Sequence, residues 1–93
     1  MSVVKIPTVL RPQVGGNKEV EMTGSTVGEV VTELTARYPS LKSQLLTDDG
    51  GLNRFVNVYV NGQDVRYLDG LATAVAERDE VRLLPAMAGG ATG

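Results

Sequence analysis

The stretch Phe55-Val-Asn-Val-Tyr-Val60, followed at once by Asn61-Gly62, decides the fold. Its valines at positions 56, 58 and 60 alternate with aromatic or polar residues, which is typical of a strand with one buried face. Asn-Gly is a preferred pair for a type I′ hairpin turn, because both central residues there take positive φ. The stretch therefore predicts a strand that turns back into a short arm over residues 63–66.

A helix is predicted upstream of that strand, over residues 27–37. Thr26 and Glu29 fit the capping-box pattern, in which a hydroxyl and a carboxylate three residues later bind unpaired backbone N–H groups reciprocally. Pro39 ends the helix near Tyr38, because proline disfavours the α conformation of the residue before it. Four apolar residues recur at the spacing of one helical face: Val27, Val30, Val31 and Leu34.

Strands are also predicted at both ends of the chain. Residues 3–10 form the first strand, with an irregularity at Pro7, and residues 18–22 return from a turn at Gly15-Gly16. Residues 81–84 form the last strand. Between the hairpins and this strand, three residues are expected to point inward: Leu71, Ala74 and Val75.

The predicted order is β-β-α-β-β-β, which indicates a single α+β domain with one main helix across one face of a mixed sheet. We expect the first and last strands to pair in parallel, as in the ubiquitin-like β-grasp fold. The helix residues Val27, Val31 and Leu34 are then expected to face four sheet residues: Ile6, Val56, Val58 and Leu83.

Composition excludes several classes of function. The net charge is −2 with no basic stripe and only four aromatic residues, which argues against nucleic-acid binding. No apolar run approaches the roughly 20 residues of a membrane span, and the N-terminus does not resemble a signal peptide, so a cytoplasmic location is expected. Because the chain has no Cys and no His, it lacks the usual zinc ligands, thiol nucleophiles and the commonest general base. We therefore expect no bound metal or cofactor and no enzyme activity.

The chain ends in Pro85-Ala-Met-Ala-Gly-Gly-Ala-Thr-Gly93, which has no charged side chain and no apolar period. We expect residues 1–88 to form the domain and residues 89–93 a flexible tail. On its own, a terminal Gly89-Gly90 more often marks a frayed end than a site.

Several stretches together resemble the MoaD/ThiS superfamily of sulfur carriers, over essentially the whole chain from Val3 to Gly90. The stretches are Thr26-Val-Gly-Glu-Val30, Phe55-Val-Asn-Val-Tyr-Val-Asn-Gly62, Asp79-Glu-Val81 and Pro85-Ala-Met-Ala-Gly-Gly90. Finer features, such as Ile6-Pro-Thr-Val-Leu-Arg-Pro12 and Asp64-Val-Arg66, are similar to the CysO-type carriers of actinobacterial cysteine biosynthesis. The resemblance implies a β-grasp monomer that carries sulfur on its terminal Gly-Gly.

The resemblance also implies partners and site residues. An E1-like enzyme would use ATP and a sulfur donor to convert the Gly90 carboxylate into a thiocarboxylate. A PLP-dependent cysteine synthase would accept the sulfur, and a JAMM-type zinc metalloprotease would release the product. Tail recognition would involve Met87, Ala88 and Gly89. Docking of the body to a partner is assigned to three residues: Leu84, Phe55 and Arg82.

Two other functions remain open at this stage. The chain would be the small subunit of molybdopterin synthase if the tail stayed in a large-subunit pocket, or a protein modifier if Gly90 were joined to lysines. Two departures from the family pattern stand out. Residues Ala91-Thr92-Gly93 follow the Gly-Gly and would have to be removed, and Arg78 stands where relatives have Gly, which implies strain in that turn.

Overall fold

A computed structural model describes residues 1–85, with the exception of the Pro85 side chain. Its five strands form one mixed sheet in the order β2-β1-β5-β3-β4. β1 and β5 run parallel, and the other neighbouring strands are antiparallel. The predicted pairing of the first and last strands is confirmed, and the architecture is the β-grasp fold. The strands are β1 (Ser2–Lys5), β2 (Glu19–Met22), β3 (Val56–Val60), β4 (Gln63–Asp64) and β5 (Glu80–Pro85).

The helix α1 (Val27–Arg37) has the predicted bounds. The Thr26 hydroxyl accepts a hydrogen bond of 3.1 Å from the Glu29 backbone N–H, as the capping box requires. The Glu29 carboxylate accepts mainly from the N–H and the hydroxyl of Ser25, at 2.8 and 2.9 Å, and the Thr26 N–H, its expected reciprocal partner, makes a smaller contribution to the lowered pKa of Glu29. The cap therefore also fixes Ser25, the residue before the N-cap. A short helix α2 (Lys42–Leu45) follows, and within residues 1–85 no helix is long and apolar enough to cross a membrane.

One buried cluster joins α1 to the sheet. Val27, Val31 and Leu34 of the helix are at most 2% exposed. They belong to the same cluster as Val58 and Leu83, so the predicted contact between helix and sheet is confirmed. Burying one such side chain stabilises the fold by about 1.5–3 kcal/mol. The predicted sheet partners in this cluster are Ile6, Val56, Val58 and Leu83.

The prediction of a strand over residues 3–10 is wrong after Lys5. The backbone N–H of Ile6 still bonds to the Lys18 carbonyl at 2.9 Å, but Pro7 has no N–H to continue the ladder. The chain leaves the sheet there and forms a 3₁₀ segment, Thr8–Val14. Its Leu10 and Val14 are both buried, at the four-residue spacing of a helical turn rather than the two-residue spacing of a strand.

Two smaller predictions are also corrected. Asn61 and Gly62 have φ of 50° and 87°, which confirms the type I′ turn, but the returning arm is only Gln63–Asp64 rather than residues 63–66. It ends because the Asp64 carboxylate accepts from the Arg66 N–H at 2.8 Å and starts a 3₁₀ turn.

The inward-pointing residue between Leu71 and Val75 is Thr73, not Ala74. Ala74 is exposed, whereas Thr73 is buried. The Thr73 hydroxyl accepts a hydrogen bond of 3.1 Å from the Asp69 N–H. Burial of this polar side chain is therefore compensated locally.

Candidate functional site

We call the end of the sheet at which β5 finishes the tail end. Pro85 pairs there with Val56, the first residue of β3, and the parallel strand β1 finishes beside it at Lys5. The chain beyond Pro85 starts from the centre of the sheet, with a strand on each side. The predicted tail residues lie outside the described residues: Met87, Ala88, Gly89 and Gly90.

The structure brings two of the predicted docking residues to the tail end. Leu84 is 38% exposed on the sheet face opposite α1, because the alternate residue Leu83 is buried against the helix. Phe55 is 58% exposed and immediately precedes β3. Both are apolar side chains that a partner could cover without disturbing the core.

Arg82, the third predicted docking residue, lies on the same face as Leu84. Its guanidinium forms an ion pair of 3.0 Å with Glu80, and Lys5 on the neighbouring strand pairs with Glu19 at 3.1 Å. Exposed pairs of this kind contribute about 0–1 kcal/mol. A partner's carboxylate could therefore replace Glu80 at little cost to the fold.

Arg66 holds the segment that carries Phe55. Its guanidinium donates to the carbonyls of Asn53 and Val56, both at 2.9 Å, and to the side-chain oxygen of Asn57. Its structural role was missed because these contacts join residues that are distant in sequence, and no local pattern indicates them.

Arg54 lies beside the same segment. Its guanidinium carbon stands 5.6 Å from the centre of the Phe55 ring, within the range of a cation–π contact. The aromatic ring and a positive charge are therefore presented together at the tail end.

A groove of about 480 Å³ runs along the β1 side of the tail end; we call it the tail groove. It exists because the chain turns out of the sheet at Pro7 instead of continuing β1. Arg11 closes this turn by donating from Nε to the Ile6 carbonyl at 3.1 Å. Sequence reasoning missed Arg11 because it placed the residue just beyond a straight strand. The groove is lined by Lys5, Ile6, Pro7, Thr8, Arg11, Lys18, Glu19, Arg82, Leu83 and Leu84.

A larger cavity, of about 540 Å³, lies along α1 and is lined in part by Gly28, Glu29 and Leu71. Its two carboxylates are already engaged. The backbone N–H of Ser25, followed by the Ser25 hydroxyl, holds the pKa of Glu29 below its ordinary value. Glu33 accepts from the N–H groups of Thr23 and Gly24 at 2.9 and 3.2 Å. Glu29 is therefore an ionised helix cap and not a proton-transfer group. Size alone does not make this cavity the functional site.

Two acidic pairs occur in the sequence, Asp48-Asp49 and Asp79-Glu80. Asp79 accepts hydrogen bonds from the Asn61 side chain at 3.0 Å and from the Ala76 N–H at 2.7 Å. These bonds keep the pKa of Asp79 below its usual value, and the bond from Asn61 has the larger effect on that pKa. Asp79 therefore fixes the turn before β5. Across residues 1–85, no three Asp or Glu side chains are grouped so as to hold a metal.

Comparison with known proteins gives consistent results. A profile of the ThiS family matches residues 4–90. The chain is 51% identical over 89 residues to the sulfur carrier protein CysO of Mycobacterium tuberculosis, covering 94% of this chain and 96% of that protein. It is 44% identical over 66 residues to small archaeal modifier protein 3 of Haloferax volcanii, covering 71% of each. Among solved structures, the Amycolatopsis orientalis BexX/CysO complex contains a chain with a TM-score of 0.88 and 43% identity, covering 97% of this chain and all of that one.

Proposed function

The chain belongs to the ThiS family, and on that basis we propose that it is a sulfur carrier that holds an activated sulfur atom on its own C-terminal glycine, Gly90. The observation that carries the proposal is the 51% identity to a sulfur carrier protein over 94% of the chain. The position of the glycines supports it, because the family match ends at residue 90 and so includes Gly89-Gly90 as its last pair.

The proposed chemistry takes place at a backbone carboxylate. A carboxylate oxygen of Gly90 attacks the α-phosphorus of ATP, and pyrophosphate leaves. A sulfur donor then delivers hydrosulfide to the carbonyl carbon, and AMP leaves with the electron pair of the broken C–O bond. The product is a thiocarboxylate. Its sulfur attacks an electrophilic carbon of an acceptor and forms a new C–S bond, and the acceptor's leaving group departs with the electron pair of the broken bond.

In this proposal the carrier supplies no catalytic side chain. The sequence contains neither Cys nor His, and ATP and the sulfur donor are bound by the activating partner. Glycine suits the position, because without a Cβ the terminal carbonyl can be approached closely in a narrow channel. The chain thus acts as a protein co-substrate.

The folded body has to supply binding energy for this reaction. From Pro85 to Gly90 an extended chain spans about 17 Å at roughly 3.3–3.6 Å per residue. Ordering residues 86–90 in a channel costs about 1–2 kcal/mol per residue, or about 5–10 kcal/mol in total. We assign the compensating contact to the tail end, where Leu84 and Phe55 are exposed beside Arg82.

The partners follow from the same chemistry. We propose an E1-like adenylating enzyme, a sulfur-accepting synthase of the PLP-dependent cysteine synthase type, and a JAMM-type zinc metalloprotease that releases the product. The related CysO of Amycolatopsis orientalis occurs in a solved complex with BexX, which supports docking of such a carrier to another protein. Residues Ala91-Thr92-Gly93 follow Gly90 in this sequence and would have to be removed before activation.

A protein modifier is the second candidate function. The observation that favours it is the 44% identity to small archaeal modifier protein 3 of Haloferax volcanii. In that case a lysine amine would attack the carbonyl carbon of adenylated Gly90, and an amide bond would form as AMP leaves. The same tail and the same activation step serve both functions, so only the product distinguishes them.

Intact-mass spectrometry of the chain ending at Gly90 tests the proposal, after incubation with an E1-like enzyme, ATP and a sulfide source. A sulfur carrier gains the mass that replaces one oxygen by sulfur. Conjugates to lysine without that species would favour the modifier. Permanent co-purification with a molybdopterin synthase large subunit would contradict both and favour the synthase small subunit.

A further inference from the structure

Most of the positive side chains of this chain lie around the tail end. Four of the nine Lys and Arg residues line the tail groove. Two more flank the first residues of β3: Arg54 lies over Phe55, and Arg66 binds the Val56 carbonyl. We call these six residues the basic collar: Lys5, Arg11, Lys18, Arg54, Arg66 and Arg82.

The collar is only partly neutralised by the chain's own acids. Within residues 1–85, the ion pairs of Lys5 with Glu19 and of Arg82 with Glu80 are the two that involve collar residues. The guanidinium groups of Arg11 and Arg66 bind backbone carbonyls, which carry no net charge. The four collar residues without a carboxylate within 4.0 Å in that part of the chain are Arg11, Lys18, Arg54 and Arg66.

The opposite end of β5 has the opposite sign. Glu77 and Asp79 precede the strand and Glu80 is its first residue. These three acids outnumber the two positive groups at that end, Arg78 and the N-terminal ammonium, which lies 3.9 Å from Glu77. The small net charge of −2 is therefore the sum of opposite charges at the two ends of the central strand β5. The positive end is the one at which the chain leaves the sheet. Gathering like charges in this way opposes folding slightly. Within residues 1–85, the side chains of Lys18 and Arg54 form no hydrogen bond or ion pair that would offset this cost, so their placement points to a partner of negative charge.

We infer that the basic collar is a docking surface for a protein whose tail-receiving opening is rimmed by carboxylates. This inference rests on the proposed function, since it requires that the tail enter a partner. Acidic side chains around such an opening would meet the collar when residues 86–90 are inserted. They would pair with Lys18 and Arg54 and compete with Glu80 for Arg82.

A protein fits this surface better than a nucleic acid does. Exposed Leu84 lines the tail groove together with four collar residues, and exposed Phe55 lies beside Arg54. Apolar side chains next to charged ones are the usual anatomy of a protein interface. A phosphate backbone would gain nothing from Leu84. It would also be repelled by the acidic remainder of a chain whose net charge is −2.

Electrostatic steering is the expected consequence. Complementary charge raises association rates by about 10- to 1,000-fold, and the effect weakens as salt screens it. The Debye length is about 30 Å at 0.01 M and about 8 Å at 0.15 M ionic strength. Docking should therefore be fast in dilute salt and should slow as salt is added.

The test measures association of the full chain with BexX of Amycolatopsis orientalis by stopped flow, at about 0.01 to 0.15 M ionic strength. The collar variant is Lys18→Gln/Arg54→Gln, because the structure shows neither side chain in a hydrogen bond within the described residues. The control variant is Arg37→Gln/Arg78→Gln, which removes the same charge near the other end of β5. Thermal unfolding confirms that both variants fold.

We expect the collar variant to associate about tenfold more slowly than the unmodified chain at low ionic strength, with a flatter salt dependence. The control should remain within about twofold. Equal slowing of both variants, a rate independent of salt, no binding to BexX at low ionic strength, or displacement of BexX by a short DNA duplex would each overturn the inference. Association needs no ATP, so a chain that docks in this way but never gains sulfur would contradict the proposed function and leave the collar in place.

Discussion

Replacing Phe55 by alanine should weaken docking to the activating enzyme while leaving the fold intact. The ring is 58% exposed. An aromatic side chain has about 150–250 Å² of surface to bury, so about 90–145 Å² of Phe55 is free for a partner to cover. At about 25 cal/mol per Å² this area corresponds to about 2–4 kcal/mol if it is covered completely.

Partial coverage lowers the expected loss to about 1–3 kcal/mol, or about 5- to 150-fold in Kd. The fold should change little, because the ring is outside the buried cluster. Its contact with Arg54 is an exposed cation–π pair worth about 0.5–1 kcal/mol. In ATP–pyrophosphate exchange catalysed by an E1-like enzyme, Phe55→Ala should raise the KM for the carrier and leave kcat nearly unchanged.

Tyr67→Ala is the matched control, because Tyr67 is a more exposed aromatic residue, at 87%. It follows the edge strand β4, whereas Phe55 precedes β3, the direct neighbour of β5. We expect less than a twofold change in KM for this variant. If Tyr67→Ala raises KM as much as Phe55→Ala, or if Phe55→Ala has no effect, the tail end is not the docking surface.

Three further predictions concern the fold. Arg78 has φ of 72°, so Arg78→Gly relieves about 1–2 kcal/mol of left-handed strain, which is partly offset by the greater freedom of glycine in the unfolded chain. The midpoint temperature of thermal unfolding should rise by a few degrees, and a lower midpoint would contradict this. Gly24→Ala places a Cβ 2.7 Å from the Val30 nitrogen and should lower the free energy of unfolding by about 1–3 kcal/mol. Urea unfolding measures this loss, and an unchanged midpoint would show that the Cβ does not clash. The pKa of Glu29 is lowered by the Ser25 N–H, so its contribution to stability is present above about pH 4.3 and is lost as the pH falls through the folded-state pKa. Glu29→Gln should therefore lower the unfolding midpoint at neutral pH and approach the parent chain in acid; a gap that is the same at every pH would be inconsistent with this.

Much of the fold could be predicted from the sequence because periodicity and turn chemistry agreed. The spacing of Val27, Val31 and Leu34 gave the helix and its buried face, and Asn61-Gly62 gave the tightest turn. The strand over residues 3–10 failed because Val4, Ile6 and Leu10 satisfy a two-residue spacing by coincidence. A missing donor at a single proline ended the ladder, and burial of Leu10 was achieved from a 3₁₀ turn instead.

The candidate site was less predictable than the fold. Exposure of Leu84 followed from simple alternation with Leu83. The tail groove could not be predicted in this way, because it depends on where Arg11 lies after the chain leaves the sheet. The hydrogen bonds of Arg66 to the segment at the start of β3 could not be predicted either, because its partners come from another part of the chain. Charge polarity along β5 appears only when the strand order is known.

The central claim is that Gly90 carries the reactive carboxylate, and ATP–pyrophosphate exchange with an E1-like enzyme tests it most directly. Three forms are compared: the chain ending at Gly90, the same chain with Gly90→Ala, and the chain ending at Gly93. We predict exchange with the first form, a sharp decrease with the second because a Cβ crowds the carbonyl, and none with the third until a protease exposes Gly90. Direct adenylation of the chain ending at Gly93, or no exchange with the chain ending at Gly90, would contradict the claim.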